Sequence, residues 1–343
     1  MLRLTKNLNN MFKENRPEIA SHEPEERDDK PLQEFKGFDP DRRNFLKTTL
    51  AVGTLLAAGT LGELYRRGYF DEEKQTLQPG VPEKKNEEAE KIKKLLSELK
   101  KLEKDLQNES ITQNYGKEDV KKFNILVEQE IQRVRDLHHN KPVLLDKLFK
   151  NVPNLLPDIT RECQDLGVPL SVALGVVLEE SRAAHGTVTP AGDMGIFQLQ
   201  LETAKQWKEE MQKKGIFKET MLSQLTPNDP RVDMLTNLRM GLYGLKKLSH
   251  LLFDCDFGVF AFHNGVKGTF KHFDGAQKSK QGKRINYLDV FGQASKTAQG
   301  DTDKKKALYP VRVEAKLRLF KEYFLPRLIS KLEKDTNNYA KVK

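Results

Sequence analysis

The chain has little of what marks several protein classes. It holds two cysteines, Cys163 and Cys255, in 343 residues. They are too few and too far apart for a zinc motif. Aromatic residues make up 8%, with one tryptophan, and alternation of polar and apolar residues is nearly absent. A sheet-built fold is therefore not expected. No apolar run reaches the roughly 20 residues that cross a bilayer comfortably. The net charge is +9, yet no zinc knuckle, aromatic RNA-binding signature or helix-turn-helix pattern accompanies it. Charge by itself does not argue for a nucleic-acid partner. No motif calls for a metal or a cofactor.

What is present divides unevenly along the chain. Hydrophobic residues are 37% of the total against 32% charged. That dilution implies a real core in part of the chain and long solvated segments elsewhere. A basic surface suits polyanions in general, including anionic lipid and carboxylate-bearing peptides.

Residues 1–40, rich in Glu, Asp, Arg, Pro and Asn, read as a disordered leader. Within 41–65, the run Asp41-Arg42-Arg43-Asn44-Phe45-Leu46-Lys47 resembles a twin-arginine export signal, with Asp41 where Ser or Thr is usual. A soft apolar stretch, 48–62, follows it. Export to the periplasm by the twin-arginine route is the expectation. The signal is either cleaved or kept as a membrane anchor through 48–62.

Residues 66–86 form a linker containing Pro, Gly and Lys. Across 87–140 two helical patterns follow. Ile92, Leu95, Leu99, Leu102 and Leu106 make a short heptad seam, and Val120, Phe123, Val127, Ile131 and Val134 make a second stripe. Asn114-Tyr115-Gly116 breaks between them, which suggests a helical hairpin. A solvated spacer and a dimerisation stalk both fit it. From 151 to 334 the apolar periodicity becomes dense and helical, predicting an all-α globular domain.

Four stretches of that domain concentrate chemistry. Ser171 to Arg182 reads as a helix apolar nearly all round and therefore buried, and it ends in Glu179-Glu180-Ser181. Burial favours the neutral form of a carboxyl group, which suits a proton donor. Periodicity does not separate Glu179 from Glu180. A glycine-bent loop follows, Gly192-Asp193-Met194-Gly195-Ile196-Phe197-Gln198. Then come Ala261-Phe262-His263-Asn264-Gly265 and Tyr309-Pro310-Val311-Arg312-Val313. A lone carboxylic acid with such surroundings suits general-acid cleavage of a glycosidic bond.

These stretches, with Asn237-Leu238 and Gly241, occur in the order and spacing of the soluble lytic transglycosylase family. The resemblance covers about 151–334 and implies a goose-lysozyme-like helical domain that cleaves peptidoglycan. It selects Glu180, through the Glu180-Ser181 pair, as the acid that protonates the oxygen between N-acetylmuramic acid and N-acetylglucosamine. It also implies that the muramic acid's own 6-hydroxyl closes a 1,6-anhydro ring. Because that attack is intramolecular, one carboxylate suffices. Ser181 and Gln198 would position sugar groups, and Phe197 would form an apolar wall. Phe262, His263 and Asn264 would line the substrate site. Peptidoglycan strands are the expected partner, with cell-envelope assemblies as further ones.

The departures bear on mechanism. Phe262 stands where the family carries tyrosine, so a phenol is missing there. The turn resembles a variant branch of the family with a His-x-Gly turn, and Tyr287 or Tyr309 is the expected source of the hydroxyl. Asp193 stands where the family has Ala. It either caps its loop or orients water, which would make the enzyme a hydrolase. A non-catalytic glycan-binding protein is the third reading. Cys163 and Cys255 are expected near the domain core, as a disulfide or as two buried thiols.

Overall fold

The computed structural model describes residues 82–107, 115–252, 255–280, 285–297, 300, 304 and 306–341. The leader and the twin-arginine segment with its apolar stretch lie outside them. Among the described residues the regular secondary structure is helical, joined by loops and by isolated bridges between Val188, Met194 and Leu199. Among them no helix is long and apolar enough to cross a membrane.

In chain order the helices are α1 (Pro82–Gln107), α2 (Lys117–Leu137), α3 (Pro142–Asp146), α4 (Val152–Leu166) and α5 (Leu170–Glu180). Then come α6 (Leu201–Lys213), α7 (Met221–Leu225), α8 (Met234–Leu251) and α9 (Cys255–Lys280). The last are α10 (Tyr287–Thr297), α11 (Tyr309–Arg318), a π-helical turn (Leu319–Phe324) and α12 (Leu325–Lys341).

Local chemistry sets the ends that matter. Helix α4 starts with proline in its first turn and stops at Gly167, whose φ of 66° closes the helix in the left-handed conformation. Pro169 then begins α5, and every residue from Leu170 to Leu178 is buried. A helix buried on all sides needs neighbours on all sides. Helices α4, α9 and α11 supply them. The approach of α11 is close: a Cβ on Gly175 would lie 2.8 Å from Cγ1 of Val313. Only glycine lets the two backbones come so near.

The helices expected to form a spacer are part of this core. Ile92, Leu95, Leu99, Leu102 and Leu106 of α1 are buried in the same apolar cluster as α5 and α11. Helix α1 lies along α12, and α2 lies along α11. The α1 seam thus finds its partner within the chain. A seam of about two heptads is too short to hold a coiled coil alone, but it suffices as one face of a larger core. Cys163 is buried in α4. The side chain of Cys255 lies outside the described residues, and with it the question of a disulfide.

Candidate active site

The end of α5 turns its two glutamates in opposite directions. Glu179 is 4% exposed and meets two cations of α11, Arg312 and Lys316, the latter at 3.4 Å. Glu180 is 15% exposed and, among the described residues, meets no lysine or arginine within ion-pair distance. Its Oε1 accepts a hydrogen bond of 2.5 Å from the Tyr309 hydroxyl and lies 3.6 Å from Nδ1 of His263. The His263 ring stacks on Tyr309 with centroids 4.3 Å apart and 7° between planes. Two residues, from α9 and α11, therefore converge on one carboxyl oxygen at the end of α5.

Tyr309 is a fixed donor in that group. Burial pushes its phenol well above the usual tyrosine range, and the Glu180 and Glu179 carboxylates push it further. It therefore keeps its proton and offers it to Glu180. His263 reaches the site because α9 is broken at Gly265, where φ is 72° and ψ is 157°. That conformation is open to glycine at little cost.

The glycine-bent loop is built as a scaffold under α5. Ser181 Oγ donates to the Ile196 carbonyl at 2.8 Å, tying the end of α5 to the loop. Asn237 of α8 accepts from the Phe197 N–H at 3.1 Å and donates to the Met194 carbonyl at 3.0 Å. Gly195 has φ 84°, and a Cβ there would sit 2.2 Å from the Asn237 amide. Gln198 donates to the Thr187 and Gly195 carbonyls at 3.0 and 2.6 Å. Arg231 closes the far side by donating to the Gly192 and Leu199 carbonyls at 2.6 and 3.0 Å, with Asp229 holding its other edge.

Several candidate side chains thus serve the fold at this place. The hydroxyl proton of Ser181 and the amide protons of Gln198 are spent on loop carbonyls. Phe197 is fully buried, its ring against the bare Gly241 of α8, so it is no exposed wall. Phe262 packs between Phe197 and Trp207 at centroid distances of 5.7 and 5.9 Å. Asn264 donates to the Phe260 and Lys306 carbonyls. Tyr287 is also fully buried, and its hydroxyl donates to the Ala307 carbonyl at 2.5 Å instead of to Glu180. The alternative of Tyr287 as the hydroxyl source therefore gives way to Tyr309. Asp193 accepts from the Thr189 hydroxyl at 3.2 Å, and its own N–H donates back to that oxygen. This is the loop-capping geometry.

Two features of the site were not singled out from the sequence. These are the pairing of Arg312 and Lys316 with Glu179 and the closure of the loop by Arg231. A glutamate beside a glutamate on an otherwise apolar helix was the available signal: one of them needed a cation from elsewhere. Among the described residues no group of three His, Cys, Asp or Glu side chains is placed to hold a metal ion.

Residues 159–285 match the family model of the transglycosylase SLT domain, which is consistent with the soluble lytic transglycosylase family and its all-α, lysozyme-like fold. The match supports lytic transglycosylase-type activity on peptidoglycan in general terms. The match begins inside α4 and contains α5, the glycine-bent loop and the His263 turn. Tyr309 lies beyond it. No curated protein and no solved structure matches the chain.

Proposed function

We propose that this chain cleaves the β-1,4 bond between N-acetylmuramic acid and N-acetylglucosamine without water, leaving 1,6-anhydro-muramic acid ends. The observation that carries this reading is the half-buried Glu180, held at one oxygen by Tyr309 and without a lysine or arginine partner among the described residues. With Oε1 occupied by the phenol, Oε2 is the atom that exchanges a proton with substrate. Protonated Oε2 gives its proton to the glycosidic oxygen as the C1–O bond breaks and the electron pair leaves with that oxygen. The muramic 6-hydroxyl then attacks C1, and its proton returns to Oε2, restoring the acid. No second carboxylate is required, because the nucleophile is delivered by the substrate itself.

The phenol absent at position 262 is replaced in this scheme by Tyr309, which argues for a working acid over a glycan-binding relic. Asp193 accepts from Thr189 through one oxygen, the geometry of a loop cap, which favours the anhydro reading over hydrolysis. The twin-arginine reading completes the proposal: export to the periplasm, where peptidoglycan lies. Mass spectrometry of muropeptides released from sacculi tests it. Anhydro ends are the expected product. Reducing ends would replace this reading with a muramidase, and no cleavage would overturn it.

A further inference from the structure

Helix α11 grips both glutamates at the end of α5, one with a hydroxyl and the other with two cations. Tyr309, Arg312 and Lys316 are spaced three and four residues apart, so they share one face of α11. Glu179 is 4% exposed, and a carboxylate so placed is stable only when paired. The contact of Gly175 with Val313 fixes how near the two helices lie. It fixes neither the rotation of α11 about its axis nor its slide along α5. A charged clamp one turn along α5 from Gly175 fixes both. A rotation of about 100° separates adjacent residues on a helix, so even a small turn of α11 moves the phenol off Oε1.

We propose that the Glu179–Arg312–Lys316 cluster is a positioning device for the reaction, acting through Tyr309 to hold the Glu180 carboxyl in its working orientation. This rests on the reading of Glu180 as the acid. The cluster touches no reacting atom. Its effect is on the geometry of the residue that does. Arg312 carries most of it, since it pairs closely with Glu179 while Lys316 stands at 3.4 Å. Burial pushes the Lys316 ammonium below its usual range, the Glu179 carboxylate pushing back, which leaves Arg312 as the permanent charge.

The test is a mutant cycle on solubilised glycan strands, using the full chain with Arg312→Gln, Tyr309→Phe and the pair together. Arg312→Gln is expected to lower kcat roughly tenfold with KM within about twofold, since small misplacements of a reacting group are costly. With Tyr309 already replaced, Arg312→Gln should cost little more, because the residue through which it acts is gone. Arg312→Lys keeps the charge facing Glu179 and should recover most of the turnover. Losses that multiply in the double variant, or a loss confined to KM, would overturn the inference while leaving the proposed activity standing. An Arg312→Gln chain that turns over like wild type overturns it too. Should Arg312→Gln not fold, Glu179→Gln, alone and with Tyr309→Phe, releases the same clamp from its other side and carries the same comparison. A wild-type chain that releases no anhydro ends overturns both.

Discussion

The Tyr309 hydroxyl reaches Oε1 of Glu180 at 2.5 Å from a position 129 residues further along the chain. One is the last residue of α5 and the other the first of α11. In the proposed reaction their meeting decides which oxygen of Glu180 remains for substrate. A hydrogen bond to a charged group is worth about 1.5–3 kcal/mol, so Tyr309→Phe should lower kcat by roughly ten- to a hundredfold. Steady-state assays of glycan cleavage read this directly, and an unchanged kcat would remove the phenol from the mechanism.

Glu180→Gln removes the proton donor and nearly preserves shape. Loss of general-acid catalysis is expected to slow cleavage by about 10²–10⁴-fold. Binding to sacculi should persist, because the fold around Glu180 does not depend on its charge. Co-sedimentation and muropeptide release, measured on one preparation, check both halves.

Gly241→Ala tests the packing beneath the loop. The added Cβ would lie 2.1 Å from the Phe197 ring, inside a fully buried contact. Overpacking of this kind costs about 1–3 kcal/mol. Thermal unfolding should show a clear fall in Tm, and a neutral outcome would mean that Phe197 has room to move.

The Asp229–Arg231 pair makes loop stability depend on pH. The Arg231 hydrogen bonds hold the Asp229 carboxyl below its ordinary range despite partial burial. A depressed carboxylate stabilises the fold above its unfolded value, about 3.9, and loses that contribution as pH falls through the folded value. Asp229→Asn should therefore destabilise the chain by about 1–2 kcal/mol at pH 7, and much less near pH 3. Urea unfolding at the two pH values measures the difference, and equal losses at both would exclude the charge as the cause.

Leu99 sits in the middle of the α1 seam and is fully buried. Leu99→Ala should cost about 2–5 kcal/mol, as for other buried leucines. A free spacer would lose almost nothing, so denaturant unfolding of the full chain separates a shared core from a stalk.

Reading the chain unaided went furthest where chemistry is local. The apolar run from Leu170 to Leu178 announced a buried helix, and the structure has one over Leu170–Glu180. Glycines at 192 and 195 announced a bent loop, and both adopt positive φ. Gln198 and Ser181 were also found, but with their protons turned toward loop carbonyls. A motif identifies a residue without saying which atom it faces.

Partnerships over long separations were not legible. The α1 seam looked like half of a coiled coil, and nothing in its own residues told that α12 would cover it. Tyr287 and Tyr309 were equal candidates on paper until one was placed against Ala307 and the other against Glu180. Glu179 and Glu180 likewise could not be told apart by periodicity.

Helix content and the buried α5 were written into residue order, because backbone periodicity and short-range glycine chemistry act between neighbours. Which glutamate is neutralised by cations, which tyrosine donates and whether α1 and α2 stand apart were settled only on folding. Those outcomes depend on directions and distances between helices, and close packing sets such distances through contacts that no local pattern records.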